Sequence, residues 1–379
     1  MRTDFLATLA RTLAAGCLSV AFLTVAQGQS VRTVDGEACA DCQVRFDHLV
    51  SLGDLSDPAT THYFPTVVVD RSGNFYVAPA SSLYEVLVYD SSGQFVRAVG
   101  RRGRGPGEFS FVRHIAVSPA GDVHTIDAPN RYTRWSSGMS SVIATATVPF
   151  TVSDWIFLDD TTFVVQPEQQ GEVSALQLAV FKAGRLVTTA IAPQRSPFRI
   201  DRPLRRLGSS PGGFVASWLT RYRMEKWSGD GRLTEVLERS AEWFPPRPVT
   251  QITRGPPTQV KPDPVFAAVA GDGHGRIWTI VHVADPDWRP IPNRPDGIPM
   301  HPDSLVAIGV SIDDLHDSVV EVIDAQNNKV VAAAVHDSLL LGFVEGRTDL
   351  VFAVRDTTDG NLVVDIFRVR LALDVQRGG

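Results

Sequence analysis

Long hydrophobic runs are almost absent from this chain of 379 residues. The longest, residues 12–26, is shorter than a membrane span and follows the basic residues Arg2 and Arg11. This arrangement is typical of a signal peptide, and the small residues Ala26 and Gly28 predict cleavage after residue 28. An uncleaved anchor is the alternative. We therefore expect an exported protein of bacterial type, periplasmic or extracellular, with no stable membrane span in its mature chain.

An excess of positive charge is also missing. The 36 lysines and arginines oppose 42 aspartates and glutamates, which gives a formal net charge of −6 at pH 7. Proteins that bind nucleic acids or anionic membranes broadly are usually basic, because phosphate groups attract Lys and Arg. The composition therefore predicts no nucleic-acid partner, although a local group of arginines can still recognise a single anion.

Cysteine is scarce, with three residues in the whole chain. Cys17 lies inside the leading apolar run, which leaves Cys39 and Cys42 in the mature protein. A haem site would need histidine after the second cysteine, where Gln43 stands, and a structural zinc site would need two further ligands nearby. Because exported proteins fold under oxidising conditions, we predict a Cys39–Cys42 disulfide, with a redox or metal role and free thiols as alternatives.

Helical periodicity is nearly absent after residue 30. Short runs of β-branched, aromatic and apolar residues alternate with turns rich in Asp, Gly, Ser and Asn, which indicates β-strands. A phrase of three or four such strands recurs about six times, most clearly at residues 65–100 and 114–136. One copy cannot bury both of its faces, so the copies must stack, and radial stacking gives an all-β propeller.

We predict six blades, with seven as the alternative. Their expected ranges are residues 64–100, 113–149, 155–193, 207–244, 264–336 and 339–373. The sixth shows only three clear strands, whereas an unassigned strand at residues 44–53 precedes the first. Pairing between these two ends would close the ring and cover its open edges. The predicted organisation is a signal peptide (1–28), an N-terminal segment with the two cysteines (29–43) and the propeller (44–375).

The second copy of the phrase resembles the NHL-repeat class of six-bladed propellers. It contains a Gly-Pro-Gly-x-Phe turn at 105–109, an Ile-Ala-Val strand at 115–117, Asp127, and an Asn-Arg pair at 130–131. At the level of architecture the resemblance extends over residues 44–373. It implies a six-bladed propeller. Members bind proteins, RNA or small ligands, and some are lyases or hydrolases, so the resemblance implies no single activity.

Motifs with catalytic or metal-binding chemistry are weak. Residues 208–212 match the G-x-S-x-G pattern of serine hydrolases, but Pro211 follows the serine and has no backbone N–H for an oxyanion hole. The acidic residues and histidines between positions 285 and 316 lack the spacing of a calcium or zinc site. The predicted innermost strands begin with apolar residues, as at 66–69 and 265–268. We therefore predict no metal and no cofactor.

Arginine is instead concentrated in the long connections between the predicted blades. In a propeller these connections share one face with the loops between the middle strands, so their side chains surround one opening. Arginine forms planar, bidentate contacts with carboxylate and phosphate groups. The residues predicted to bind a ligand are Arg101, Arg113, Arg202, Arg205, Arg206, Trp288 and Arg289. The alternative is that these arginines pair with acidic residues of their own loops.

The leading functional hypothesis is an exported, monomeric binding module whose arginine-bearing face recognises an anionic partner. A small molecule, a peptide, a glycan or a protein of the cell envelope would fit this description. One alternative is a metal-assisted lactonase, hydrolase or lyase at the central pore, in which His114 and Asp127 would take part. Another is a scaffold for protein interactions without a small-molecule site. The residue pattern leans away from an enzyme, because none of the catalytic motifs is complete.

Overall fold

The structure is a computed structural model, and it describes most of the chain. The described residues are 31–36, 42–53, 64–78, 84–128, 130–168, 174–182, 185–194, 204–247, 260–291, 311, 313–345, 347–357 and 362–373. Within these ranges the chain is almost entirely β-strand and turn, with one short 3₁₀ turn at Ser137–Met139.

The described strands form six sheets that follow one another along the chain. The first contains β3 (Thr66–Val69), β4 (Phe75–Ala78), β5 (Val86–Tyr89) and β6 (Phe95–Val99). The second contains β7 (Val112–Val117), β8 (Val123–Asp127), β9 (Arg131–Trp135) and β10 (Val142–Thr147). The third contains β11 (Val152–Phe157), β12 (Thr162–Pro167), β13 (Ser174–Lys182) and β14 (Arg185–Gln194).

The second half of the chain repeats this arrangement. The fourth sheet contains β15 (Arg205–Ser210), β16 (Gly213–Trp218), β17 (Arg223–Ser228) and β18 (Leu233–Arg239). The fifth contains β19 (Val265–Gly271), β20 (Arg276–Ala284), β21 (His316–Asp324) and β22 (Lys329–His336). The sixth contains β23 (Leu340–Val344), β24 (Arg347–Asp356) and β25 (Leu362–Leu373). Two earlier strands, β1 (Val31–Val34) and β2 (Cys42–Leu52), are added to the fourth and sixth sheets.

Asp-containing turns explain the phrase that recurs in the sequence. In the first blade, Oδ1 of Asp70 accepts hydrogen bonds from the backbone N–H groups of Ser72 and Asn74, at 2.8 and 2.9 Å. Gly73 completes this turn with a φ of 86°, a conformation that glycine adopts without steric cost. Asp90 repeats the arrangement two turns later. The Asp side chain therefore accepts the hydrogen bonds of backbone N–H groups in the turn, which stabilises the hairpin between the two strands.

The six sheets surround a central axis with their first strands innermost. Contacts join these strands in a circle, from β3 to β7, β11, β15, β19 and β23 and back to β3. Each neighbouring pair of blades encloses its own apolar layer. Between the first two blades, for example, Tyr76 and Val86 pack with Phe109 and Ile115. The described blades thus enclose six small cores between neighbours instead of one large core.

The N-terminal strap, which we define as residues 31–36 and 42–52, crosses three blades. β1 pairs in parallel with β18 at the edge of the fourth blade, with Val31 opposite Val236. The backbone of Asp35 forms an isolated parallel β-bridge with that of Lys329 in the fifth blade. β2 pairs antiparallel with β25 of the sixth blade, from Cys42 opposite Leu373 onward. β2 corresponds to the strand expected at 44–53, whereas β1 has no counterpart in the sequence-based prediction.

Gly208 marks a close approach between the fourth and fifth blades. A Cβ atom at this position would lie 1.6 Å from the carbonyl oxygen of Val269 on β19, so no side chain fits. We expect Gly208→Ala to push the two strands apart and to lower the free energy of unfolding by about 1–3 kcal/mol. Urea unfolding of the two proteins measures this difference. Gly273→Ala is the control, because nothing lies within 4 Å of a Cβ there, and equal stabilities for both variants would contradict the close approach.

Candidate functional site

A channel runs between the innermost strands. A cavity of about 410 Å³ occupies the end where these strands begin, and a second of about 730 Å³ continues toward the other end. Both are lined by Ile156, Ser209, Glu345 and Arg347. The first cavity carries more of the titratable side chains, and we therefore take it as the candidate site. We call the part of its wall that the first residues of the innermost strands form the mouth of the channel.

A β-bulge recurs near the start of the innermost strand in four of the six blades. The register shifts between Val112 and His114, Val152 and Asp154, Phe266 and Ala268, and Leu340 and Gly342. A bulge sets two residues of one strand opposite one residue of its partner and re-aims a side chain. The bulged residue and its successor both line the cavity, as Arg113 and His114 do in the second blade. The bulges therefore concentrate side chains at the mouth.

Arg206, on β15 of the fourth blade, influences the pKa values of three other side chains that line the cavity. Burial has the largest effect on the pKa values of Asp154, His114 and His282, and the positive charge of Arg206 lowers all three. These groups belong to three other blades, and all of them line the same cavity as Arg206. Its Nε atom is buried and has no hydrogen-bond partner among the described residues. Because buried donors are normally paired, Arg206 presents an unused donor at the cavity.

Two carboxyl groups share the cavity with Arg206. Oδ2 of Asp154 accepts a hydrogen bond from the backbone N–H of Leu207 at 2.8 Å, which fixes this carboxyl group beside the fourth blade. Burial raises the pKa of Asp154, and the charge of Arg206 opposes the rise. Burial also raises the pKa of Glu345 well above its usual value, and the negative charge of Asp154 adds to this effect. Burial therefore favours the neutral form of Glu345, which can donate a hydrogen bond.

The two histidines of the site are neutral and held by the backbone. Nε2 of His114 lies 3.0 Å from the carbonyl oxygen of Val152, and Nε2 of His282 lies 2.8 Å from that of Leu340. A carbonyl oxygen only accepts hydrogen bonds, so we assign the ring proton to Nε2 in both histidines, which leaves Nδ1 as an acceptor. Burial lowers the pKa of His114 to about 4 and that of His282 to about 3.

The innermost strands on the two sides of the mouth differ in polarity, although the fifth and sixth blades also add His282, Glu345 and Arg347 to the lining. The innermost strands of the second, third and fourth blades contribute Arg113, His114, Asp154 and Arg206. Those of the fifth, sixth and first blades contribute Ala267, Ala268, Leu341, Gly342 and Val67. A ligand with one charged end and one apolar end would therefore match both sides.

Comparisons with known proteins support the same architecture. A family model, DUF5128, described as a 6-bladed beta-propeller, matches residues 66–171. The crystal structure of a candidate exported protein from Bacteroides fragilis NCTC 9343 superposes with a TM-score of 0.53 at 11% identity, covering 90% of this chain and 99% of that one. The chain is a six-bladed β-propeller.

Two further comparisons complete this picture. The β-propeller domain of Cps50 (Swd1) from Myceliophteria thermophila gives a TM-score of 0.43 at 10% identity, covering 86% of this chain and 100% of that one. No curated protein matches the sequence. The fold is therefore what the Bacteroides fragilis structure shares with this propeller, and the function has to be argued from the residues of this chain.

The propeller separates the neighbouring arginines 205 and 206, which were both predicted to bind a ligand. Arg205 is 2% exposed, and its Nε lies 3.0 Å from Oε2 of the buried Glu225. Its guanidinium carbon lies 5.1 Å from the ring centroid of Trp218. Arg205 is thus part of the interior of the fourth blade and is not accessible to a ligand, whereas Arg206 lines the cavity.

Asp127 likewise has a structural position. It is 1% exposed, and Arg131 donates to it from Nε at 3.0 Å and from Nη2 at 2.7 Å. The backbone N–H of Ser110 donates to the same carboxylate at 2.9 Å, and Arg131 also bonds the carbonyl oxygen of Glu108. These contacts fix the glycine-rich connection before the second blade. Asp127 is absent from the lining of the cavity that contains His114, so the structure does not bring this predicted pair together.

Two other predicted arginines have acidic partners. Arg101 is exposed, and its Nη2 lies 2.9 Å from Oε1 of Glu108 in the same connection. Nη1 of Arg113 lies 3.1 Å from Oε1 of Glu168, while Arg113 also lines the cavity. Exposed pairs of this kind contribute little to stability, so Arg113 can exchange Glu168 for a ligand at small cost.

The remaining predicted residues lie away from the mouth or outside the described residues. Trp288 packs against Leu315, and Arg289 is exposed on the segment after β20. Arg202, Cys39 and the predicted signal peptide (1–28) lie outside the described residues, so the disulfide to Cys42 stays a prediction. In the part of the chain that the structure describes, no helix has the length and apolar character needed to cross a membrane.

Sequence reasoning missed four titratable residues of the site: Asp154, His282, Glu345 and Arg347. A signal for the first exists, because Val-Arg-His at 112–114 and Val-Ser-Asp at 152–154 stand at the same place in successive blades. Aligning these two strands would have placed Asp154 beside His114. His282 follows a buried run of β20, and Glu345 follows β23, and neither is marked by a local motif.

Proposed function

We propose that the protein is an exported binding module that recognises an organic anion at the mouth of its channel. The observation that carries the proposal is the buried Nε of Arg206, which lines a cavity and has no partner among the described residues. A propeller is a rigid support on which a few side chains can define a binding site. Its fold is consistent with a binding or scaffold role, and the unused donor favours a small ligand.

The surroundings of Arg206 favour a particular class of anion. A guanidinium group binds a carboxylate or phosphate through two parallel hydrogen bonds. Glu345, whose neutral form burial favours, adds a donor, and the Nδ1 atoms of His114 and His282 add acceptors. The alanines, leucine and valine on the opposite side suit an apolar group. We therefore propose a small carboxylate or phosphate ester with an apolar portion that fits about 410 Å³.

Benzoate and benzamide test this proposal, because they have nearly the same shape and differ in charge. We expect the wild-type protein to bind benzoate at least about tenfold more tightly than benzamide, as one charge-assisted hydrogen bond accounts for such a ratio. Arg206→Gln should remove this preference and weaken benzoate binding about tenfold or more. Isothermal titration calorimetry with both ligands measures the four affinities.

Arg232→Gln is the matched control, since Arg232 lies in the same blade but is 83% exposed and paired with Asp230. This variant should bind benzoate like the wild-type protein. Equal binding of benzoate and benzamide by the wild-type protein would exclude charge recognition. An unchanged preference in Arg206→Gln would remove Arg206 from the site.

Further features of the N-terminal region belong to the same proposal. We propose that residues 1–28 direct export, that Cys39 and Cys42 form a disulfide, and that the strap holds the ring closed through β2. The pairing of β2 with β25 supports the last of these, and removal of the strap tests it.

We also propose that the second blade is of NHL type. Asp127 and Arg131 support this, because they join the glycine-rich turn to the blade.

A further inference from the structure

The charges around the first cavity are unevenly compensated. Its acidic residues are Asp154 and Glu345, and its basic side chains include three arginines. Arg113 pairs with Glu168, and Arg347 pairs with Asp349 at 2.7 Å. Both acidic partners lie outside the cavity lining. Arg206 is the arginine of this lining without an ion pair among the described residues. The charge of Arg206 lowers the pKa of Asp154 against the effect of burial, so Asp154 is the acidic group of this lining whose ionised form Arg206 favours.

The geometry places Asp154 where an incoming anion would meet it. Its Oδ2 is held at 2.8 Å from the backbone N–H of Leu207, the residue that follows Arg206. Its Oδ1 accepts from the backbone N–H of Trp155 at 2.9 Å, so the carboxyl group cannot swing away without losing both bonds. An anion bound to Arg206 therefore lies close to a fixed carboxylate of the same sign.

We propose that the site takes up a proton from solvent with each anion that it binds, and that Asp154 receives this proton. The inference rests on the proposed anion site at Arg206. When an anion binds to Arg206, two negative charges, that of the ligand and that of Asp154, would lie beside one guanidinium group. Protonation of Asp154 removes this repulsion and turns its carboxylate into a hydrogen-bond donor toward the ligand.

The other ionisable groups that face Asp154 are poor recipients of the proton. The groups that line this cavity with it are Arg113, His114, Arg206, His282, Glu345 and Arg347. Burial lowers the pKa values of both histidines to about 4 or below, and each already uses its Nε2 proton on a backbone carbonyl. Burial raises the pKa of Glu345 well above its usual value, which favours its protonated form before a ligand binds, whereas the charge of Arg206 favours the ionised form of Asp154.

Calorimetry of the wild-type protein tests this coupling directly. Benzoate stays ionised between about pH 6 and about pH 8, so any proton that is bound goes to the protein. Titrations in buffers of different ionisation enthalpy should show uptake of a fraction of a proton, up to about one, per benzoate. The affinity should rise as the pH falls, because protonation of Asp154 then precedes binding. Identical heats in all buffers, with a pH-independent affinity, would overturn the proposal.

Asp154→Asn identifies the group that takes the proton. This variant should bind benzoate without proton uptake, and about tenfold more tightly than the wild-type protein at neutral pH, since the repulsion is gone. Asp159→Asn is the control, because Asp159 lies on the same blade at the other end of the channel. It should keep the wild-type uptake. Persistent uptake in Asp154→Asn would assign the proton elsewhere and overturn the proposal.

The two proposals fail in different ways. If benzoate gives no binding heat and no shift in thermal unfolding, the anion site itself is wrong. If benzoate binds and Arg206→Gln abolishes binding, but no buffer dependence is seen, the anion site stands and the proton coupling is wrong. The buffer experiment needs no variant, so a folding defect in Asp154→Asn does not affect it.

Discussion

A chain that begins at Asp54, and therefore lacks the whole N-terminal strap, should lose most of its stability. β2 buries Val44, Val50 and Leu52, which are 8%, 9% and 1% exposed. Burial of side chains of this size contributes about 1.5–3 kcal/mol each, so the truncation should cost roughly 5–9 kcal/mol. This is comparable with the entire stability of many domains, about 5–15 kcal/mol. Urea unfolding monitored by tryptophan fluorescence measures the loss.

The truncation also exposes the hydrogen-bonding edge of β25, which β2 covers from Leu373 to Val364. Unpaired edges recruit other strands, so the shortened protein should aggregate in size-exclusion chromatography. A chain that begins at Glu37 is the matched control. It loses β1 and the contacts of Arg32 with Glu235 but keeps β2, and it should remain monomeric with a loss of about 1–3 kcal/mol. Wild-type stability of the chain that begins at Asp54 would refute the role of β2 in ring closure.

Replacement of Glu225 by Gln should destabilise the protein by about 3–5 kcal/mol, because it leaves the charge of Arg205 buried without its carboxylate. Both side chains are 0% exposed, and their Nε and Oε2 atoms are 3.0 Å apart. The indole N–H of Trp218 donates to Oε1 of the same carboxylate at 2.8 Å. Gln can still accept this bond, so the loss reports mainly on the charge of the carboxylate, which Nε of Arg223 also contacts at 3.1 Å. The midpoint and slope of urea unfolding give the difference in free energy.

A second replacement tests whether the charge is the cause. Arg205→Met combined with Glu225→Gln removes both charges and keeps the acceptor for Trp218, so it should recover much of the lost stability. Asp230→Asn, which breaks the exposed pair with Arg232, should change stability by less than about 1 kcal/mol. A loss below about 1 kcal/mol in Glu225→Gln would show that the buried pair is not needed for the fold.

The blades could be predicted from the sequence because their turns carry local signals. The Asp and Gly of residues 70–73 form a turn through contacts within five residues, so neither distant packing nor a partner strand is needed to recognise it. β1 could not be predicted in the same way. Its four residues pair in parallel with β18, more than 200 residues away, and have no alternating pattern of their own.

The site was harder to predict than the fold, and the two adjacent arginines show why. The fourth blade was expected to begin at Leu207, which left Arg205 and Arg206 in a connecting loop. β15 begins at Arg205 instead, and successive side chains of a strand point to opposite faces. One arginine therefore enters the blade and the other enters the cavity. An error of two residues in the predicted start of this strand thus placed both arginines in a loop instead of in the strand.

The repeated bulge separates recognition from folding. Arg113, His114, Ser153 and Asp154 lie at the mouth of the channel, and none of them belongs to the apolar layers that hold neighbouring blades together. Substitutions at these places can change what enters the channel and leave the packing between blades intact. The scaffold is therefore suited to retargeting, in which substitutions at a few positions change the ligand specificity and leave the ring unchanged.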